Sequence, residues 1–239
     1  MMIVVASPRA DQRDLPIGFA HRGARAECRD NTMGSFRRAL ELGAGAIESD
    51  AWVTADGAVV LDHDGAVRRG VRRVAIATQP RHRLPAHIPS LGDLLTLAPG
   101  VDLSLDIRDP ATAAPVIDLV ESGGRAEQTW LCGRYTDLAA WRRLSDRVRL
   151  VDSTSVQDMS EGLPGRLQRL AAAGVDAVNL RGPEWDQARV DLVHGAGLLA
   201  FAWDAQRVRT LTDLVDLGVD AVYSDHVARM VAVLGRPRP

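Results

Sequence analysis

Ala173-Gly174-Val175-Asp176-Ala177-Val178 and Leu217-Gly218-Val219-Asp220-Ala221-Val222 are one joint written twice. Each closes a helical stretch, places a glycine where a left-handed cap is wanted, and then opens an apolar run that reads as a strand. Outward from this joint, short apolar or β-branched runs alternate with helix-length amphipathic stretches. The strand-like runs are 17–20, 45–53, 103–107, 129–132, 148–152, 177–180, 198–203 and 221–224. The helical stretches are 32–42, 91–97, 111–121, 137–144, 163–173, 184–194, 206–217 and 227–234. Strands alternating with helices build parallel βα units, and eight of them predict an α/β fold, a TIM (β/α)8 barrel, with residues 1–239 as one domain.

One segment breaks the alternation. Val59-Val60-Leu61-Asp62-His63 follows the second strand after only Thr54-Ala55-Asp56-Gly57, too few residues for a crossover helix, so the chain must return as a β-hairpin extension. A turn centred near Asp56 pairs residues whose numbers sum to about 112, which brings His63 beside Glu48-Ser49-Asp50. Glu48 and Asp50, two apart on a strand, share one face. The stretch 64–89 contains prolines and Arg68, Arg69, Arg72, Arg73, Arg81 and Arg83. It is expected to form a short insertion or rim loop whose arginines mostly face solvent.

Composition bounds the chemistry. With 239 residues, 46% of them apolar, the chain is long enough for a large core, and its net charge of -2 provides no basic field for nucleic acid. All 29 basic residues are arginines. Without a lysine amine there is no Schiff-base, pyridoxal or phosphate-loop chemistry, and arginine is left to grip any phosphate, in bidentate fashion. Cys28 and Cys132 are too few for a disulfide framework and read as free thiols. Residues 1–6 are too short an apolar run for a signal peptide, and no later stretch suits a membrane span, so a cytoplasmic protein without stable membrane insertion is expected. Oligomeric state is not encoded in any of these patterns.

In a βα barrel the working groups emerge from the C-terminal ends of the strands. His21 and Arg22 end the first predicted strand, Glu48 and Asp50 lie towards the end of the second, Asp106 and Arg108 end the third, and Trp203 ends the seventh. Glu48, Asp50 and Asp106 are hard oxygen donors, suited to Mg2+ or Ca2+, although pairing with Arg22 and Arg108 would also account for them. His21 and His63 are candidates for paired proton transfer, and Trp203 either walls the site or belongs to the core. Gly23 permits a sharp turn beside a ligand, and Asp30-Asn31-Thr32 opens a helix at the same mouth. His82, His87, His194 and His226 have no such setting. Together these groups suit metal-assisted cleavage of a phosphodiester, which demands charge neutralisation, a positioned nucleophile and proton transfer.

The ordered block Ala20-His21-Arg22-Gly23, Asp30-Asn31-Thr32, Ile47-Glu48-Ser49-Asp50, Thr54-Ala55-Asp56-Gly57 and His63-Asp64 resembles the glycerophosphodiester phosphodiesterase family. Weaker landmarks continue at Ile88-Pro89-Ser90-Leu91, Leu105-Asp106-Ile107-Arg108, Ala202-Trp203-Asp204 and 218–225. The resemblance implies hydrolysis of glycerophosphodiesters to glycerol phosphate and an alcohol, with a divalent cation on Glu48, Asp50 and Asp106. It also implies His21 and His63 as general base and acid, Arg22 on the phosphate, and a substrate hydroxyl as nucleophile. Three positions depart from the family pattern: Asp30 for Glu, Asp106-Ile107-Arg108 for Glu-Ile-Lys, and Asp204 for Thr after the tryptophan. Aspartate at 106 shortens a metal ligand by one methylene. A lysophospholipase D or sphingomyelinase D-like lipid diesterase is the nearest alternative, and a diester-binding barrel without turnover is the alternative from another class.

Overall fold

The computed structural model describes residues 15–235; the apolar opening at 1–6 lies outside the described residues. Eight parallel strands close on themselves in the order β1 (Ile17–Ala20), β2 (Ala46–Val53), β6 (Asp102–Ile107), β7 (Thr129–Gly133), β8 (Arg149–Ser153), β9 (Ala177–Arg181), β10 (Leu199–Trp203) and β11 (Ala221–Ser224). Closure is explicit, because β1 pairs with β11 along its whole length and with β2 at Phe19 and Ala20. The helices α1 (Met33–Glu41), α2 (Leu91–Leu97), α3 (Ala113–Ser122), α4 (Tyr135–Leu144), α5 (Gly162–Ala172), α6 (Gln187–Gly195), α7 (Val208–Asp216) and α8 (Val227–Leu234) connect and close the units. The result is the expected TIM barrel.

Most boundaries fall within two residues of the sequence reading, and the exceptions have local causes. Helix α6 starts three residues late because Gly182–Glu184 turn as a 3-10 segment and the Asp186 side chain then caps the helix by accepting from Arg189 N. Similarly, Pro110–Thr112 form a 3-10 turn capped by Asp109 ahead of α3. The two copies of the helix-to-strand joint hold Gly174 and Gly218 at φ +68° and +85°, the left-handed cap that an L side chain resists.

The returning strand β3 (Val59–Leu61) pairs antiparallel with β2 through Ala51–Leu61, Trp52–Val60 and Val53–Val59, the register that sums to 112. Within 64–89 the chain forms a second hairpin, β4 (Ala66–Arg69) and β5 (Arg72–Ala75), followed by two short 3-10 turns. Val60, Val67, Ile76, Leu84 and Ile88 bury one another there, so the insertion carries a small core of its own.

Two apolar layers fix the barrel. Between strands and helices lies a large continuous cluster that includes Phe36, Leu105, Leu131 and Trp141. Inside the ring Phe19, Trp130, Phe201 and Tyr223 form a plug, with Phe19 stacked on Tyr223 at 4.8 Å and Trp130 tilted on Phe201 at 4.9 Å. Burying each phenylalanine stabilises the fold by roughly 1.5–3 kcal/mol. Side chains alternate along a strand, so the inward positions read Phe19 then His21, Ala46 then Glu48 and Asp50, Phe201 then Trp203, and Tyr223 then Asp225. The plug fills the lower barrel and polar groups crown it.

Candidate active site

Above the plug opens a cavity of about 410 Å3 lined by His21, Arg22, Glu48, Asp50, Asp106 and Trp203, together with side chains from β7 to β11. Six of the seven residues singled out from sequence therefore face one space. His63 does not line the cavity and stands at its rim, where Arg108 reaches from β6: Arg108 Nη2 donates to His63 Nε2 at 3.3 Å. A guanidinium can only donate, so Nε2 is the acceptor and the ring proton lies on Nδ1, facing Asp64 Oδ1 at 2.9 Å.

Local backbone geometry places the first block. Arg22 and Asn31 sit at φ 54° and 49°, and Asp204, after Trp203, at 64°; these are the non-glycine residues with positive φ among the described residues, and all belong to the mouth. Such positions cost of order 1–3 kcal/mol each and persist where surrounding contacts over-determine them. Gly23 (φ +78°) is obligatory, since a Cβ there would lie 2.6 Å from Ser35 Oγ and 2.7 Å from its carbonyl carbon. The turn aims Arg22 N at Glu48 Oε2, 2.8 Å away, while the Arg22 guanidinium reaches Asp30 at 3.4 Å. Arg22 Nε lies 3.2 Å from Asp50 Oδ2 without hydrogen-bond geometry and is left as a buried donor with no acceptor.

The carboxylates crowd one another. Asp50 stands opposite Asp106 in the β2–β6 register, and Glu48 is one inward step below. Asp50 is met by Asn31 Nδ2 at 3.0 Å and by Arg108 at 3.6 Å, and Asp106 by Arg108 Nε at 3.3 Å. Among the described residues Glu48 has no arginine ion pair; its nearest cationic candidate is His21 Nε2 at 3.8 Å. Burial pushes the Glu48 carboxyl up to about 8, the Asp50 and Asp106 charges add to that, and His21 works against it. Burial and Asp50 likewise raise Asp106 above the usual carboxylate range, against the pull of Arg108.

On the other side of His21, Nδ1 lies 2.6 Å from Asp225 Oδ1. Burial works to lower the His21 pKa, but the Glu48 charge and the Asp225 hydrogen bond prevail and raise it. Against the effect of burial, that same hydrogen bond and the His21 charge hold Asp225 below its ordinary value. Cys132, beside Ser104 and Tyr223 on the cavity floor, is an inert thiol, pushed by burial up to about 12.

As a metal site, the all-oxygen donor set of Glu48, Asp50 and Asp106 suits a hard divalent cation, which would relieve the repulsion that raises Glu48 and Asp106. Among the described residues no three carboxylate, imidazole or thiol groups are already arranged as a metal cage. Arg22 and Arg108 also bring positive charge to Asp50.

Several residues of the mouth escaped the sequence reading. Asp225, one inward step past Tyr223, orients His21; the alternation along the last strand was the signal for it. Asn31, read only as a helix opener, holds Asp50 with Nδ2 and accepts from Ser49 Oγ at 2.6 Å. Asn179 and Ser153, on β9 and β8, line the far wall, Asn179 Nδ2 donating to Ser153 Oγ at 3.2 Å while its buried Oδ1 has no partner. Trp203, 40% exposed, forms the rim with Arg181 over its ring at 5.7 Å, and Asp204 pairs with Arg181 at 2.7 Å. That ion pair accounts for the aspartate that follows the tryptophan.

The pattern of the Glycerophosphoryl diester phosphodiesterase family matches residues 21–92. A curated relative from Mycobacterium tuberculosis, "Probable glycerophosphodiester phosphodiesterase 2", is 28% identical over 91% of this chain and 90% of its own length. Among solved structures, a putative glycerophosphoryl diester phosphodiesterase from Silicibacter pomeroyi superposes with a TM-score of 0.82 at 21% identity, covering 93% of this chain and 94% of that one. An Oleispira antarctica phosphodiesterase, solved in complex with the product sn-glycerol-3-phosphate, gives 0.81 at 20% identity, covering 93% and 98%. The fold is the TIM barrel of these solved structures. Residues 21–92 match the family pattern, and the rest of the chain is similar to the Mycobacterium tuberculosis relative over nearly its whole length.

Proposed function

We propose that this protein is a phosphoric diester hydrolase that cleaves glycerophosphodiesters to glycerol phosphate and an alcohol, and that it does so in the cytoplasm. The observation that carries this reading is the convergence on one cavity of Glu48, Asp50 and Asp106 with His21 and Arg22, whose buried Nε–H lacks an acceptor. A phosphate oxygen completes that donor, and a guanidinium holds the anion in place. Glu48, Asp50 and Asp106 would hold a divalent cation, Mg2+ or Ca2+, which when bound offsets the negative charge of the diester and polarises its phosphoryl oxygen.

His21 and His63 move the protons. His21 is oriented by Asp225 and accepts the proton of the attacking hydroxyl, which the glycerol moiety itself supplies at high effective concentration. This expels the alcohol and leaves a cyclic phosphate, which water then opens to glycerol phosphate as His63 takes the water proton and His21 returns one to the ring oxygen that leaves. His63 delivers a proton to the departing oxygen. To do so it must carry the proton on Nε2, where Arg108 now donates; a phosphate that draws Arg108 to itself releases that nitrogen. Trp203 covers the rim beside the alcohol, and the unpartnered Asn179 Oδ1 is available to a substrate hydroxyl.

The test is product analysis with glycerophosphocholine and related diesters, with and without EDTA. Release of glycerol phosphate that EDTA abolishes and added Mg2+ or Ca2+ restores is the expected result. Absence of turnover across the panel contradicts the proposal, and a cyclic phosphate that accumulates as the end product, without being opened to glycerol phosphate, assigns the lipid-diesterase alternative. A nitrophenyl diester, whose leaving group needs no proton, assigns the two histidines: it spares His63→Ala and does not spare His21→Ala.

A further inference from the structure

The β4–β5 hairpin stands at the barrel rim with a composition that its own stability disfavours. Cross-strand pairing sets Arg68 opposite Arg73 and Arg69 opposite Arg72. Like charges directly opposed in an antiparallel ladder are destabilising. All four arginines are exposed, and between them, at the turn, Val71 is fully exposed. The base of the hairpin is anchored: Val67 packs into the small core with Val60 and Ile76, and Ile76 N donates to Gly65 O at 2.8 Å. The result is a fixed projection with an apolar apex and cationic shoulders. Arg73 Nη2 donates to Asp64 Oδ2 at 2.9 Å, and Asp64 in turn faces His63, so the projection rises from the rim that carries the candidate acid.

We propose that this hairpin docks the barrel mouth on an anionic lipid surface, with Val71 entering the headgroup boundary and the arginines facing lipid phosphates. Charge complementarity resolves the Arg–Arg repulsion, because an array of anionic headgroups lies against both cross-strand pairs at once. Convexity and the apolar apex favour a lipid surface over the alternatives. A protruding tip matches a plane rather than a groove, and an exposed valine gains from partial transfer out of water. Single-stranded nucleic acid is a poorer match, since 64–79 holds no aromatic side chain on which bases could stack. One valine and four arginines give reversible, salt-sensitive attachment, well short of insertion. Docking does not depend on the hydrolytic reading, and its test measures binding alone.

The intact protein is floated with vesicles of phosphatidylcholine alone and of phosphatidylcholine mixed with phosphatidylglycerol, at low and high salt. Binding to the mixed vesicles that weakens with salt, together with little binding to phosphatidylcholine alone, is the expected result. Arg68→Ser combined with Arg72→Ser removes one charge from each opposed pair and touches no group of the active site. It is expected to weaken binding about thirtyfold, at about fivefold per arginine near the surface, while the melting temperature holds or rises. Val71→Ser is expected to weaken binding severalfold at unchanged charge. The proposal is overturned by no binding to phosphatidylglycerol vesicles at low salt, or by equal binding to uncharged vesicles. It is equally overturned if the double variant binds normally. Equal capture of single-stranded DNA, with Val71→Ser indifferent, would reassign the hairpin as a general polyanion patch and overturn it as a lipid site.

Discussion

Two groups of buried charge can be set side by side. Under helix α5, Arg166 is held from two sides, Nη1 donating to Asp152 Oδ2 at 3.0 Å and Nε to Glu161 Oε1 at 2.8 Å, with its plane over the Tyr135 ring at 4.1 Å. The Arg166 hydrogen bond holds Glu161 far down, at about 2, although burial still raises Asp152, whose Oδ1 has no partner among the described residues. At the barrel mouth the balance shifts further towards the acids. Glu48 has no guanidinium partner among the described residues and rises to about 8, and Asp106 rises with it. The first group is an internally paired ion network, whereas the second is a set of acids held together with too little positive charge. Buried structural charges are normally paired, so a cluster that the fold keeps under-neutralised is one arranged for something the fold does not itself supply.

The largest effects should separate the two regions cleanly. His21→Ala and Glu48→Gln are expected to lower diester turnover by about 10²–10⁴-fold, the range of a lost acid, base or essential ligand. Their urea midpoints should stay near wild type, and Asp106→Asn should raise the midpoint by relieving repulsion. A collapse of stability in these variants would make the mouth a structural network like the other. Arg166→Leu should do the opposite. It leaves Asp152 buried without its partner and is expected to cost about 3 kcal/mol in chemical denaturation, with turnover per folded molecule unchanged. Normal stability in that variant would remove the contrast.

Smaller effects sharpen the picture at the edges. Asn179→Leu fills the far wall with an apolar side chain and is expected to raise KM several-fold, about 1 kcal/mol for a lost hydrogen bond, with kcat nearly unchanged. A change confined to kcat would move Asn179 to the reacting atoms. Weakest is His194, which the sequence reading left without a role: its Nε2 lies 2.8 Å from Asp220 Oδ2, which also accepts from Ala200 N at 2.7 Å. The Asp220 hydrogen bond raises its pKa in the fold. A raised histidine stabilises fully below its unfolded pKa, and that contribution is lost as pH rises through the folded value. His194 is partly exposed, so solvent screening keeps the effect under about 1 kcal/mol. The expected readout is a melting-temperature difference between wild type and His194→Gln that is present at pH 5.5 and absent at pH 8.5.

The barrel was legible because its signals are local and repeat. Two copies of one helix-to-strand joint, runs of β-branched residues, and a linker too short for a crossover fixed strand order and even the hairpin register. At the site, the groups in the first quarter of the chain were legible because His21, Arg22, Glu48 and Asp50 stand at strand ends near one another in sequence. The roles of Asp225 and Asn179 were not, since each acts on the neighbouring strand through a partner more than twenty residues away in sequence, and the weak landmark at 218–225 assigns Asp225 no partner. The insertion was expected as a rim loop with solvated arginines; the hairpin pairing that opposes those arginines depends on a two-residue turn that composition alone does not announce. His63 shows a further limit, because register brought it to the correct rim while its orientation depends on Arg108 and Asp64.

The divalent cation proposed on Glu48, Asp50 and Asp106 is tested most directly by diffraction from crystals soaked with Mn2+ and glycerol phosphate, read at the manganese absorption edge. A single anomalous peak among those three carboxylates, with the phosphate beside Arg22, is the expected result. No peak there, or a metal bound elsewhere while Asp50 and Asp106 stay paired with Arg22 and Arg108, would contradict it.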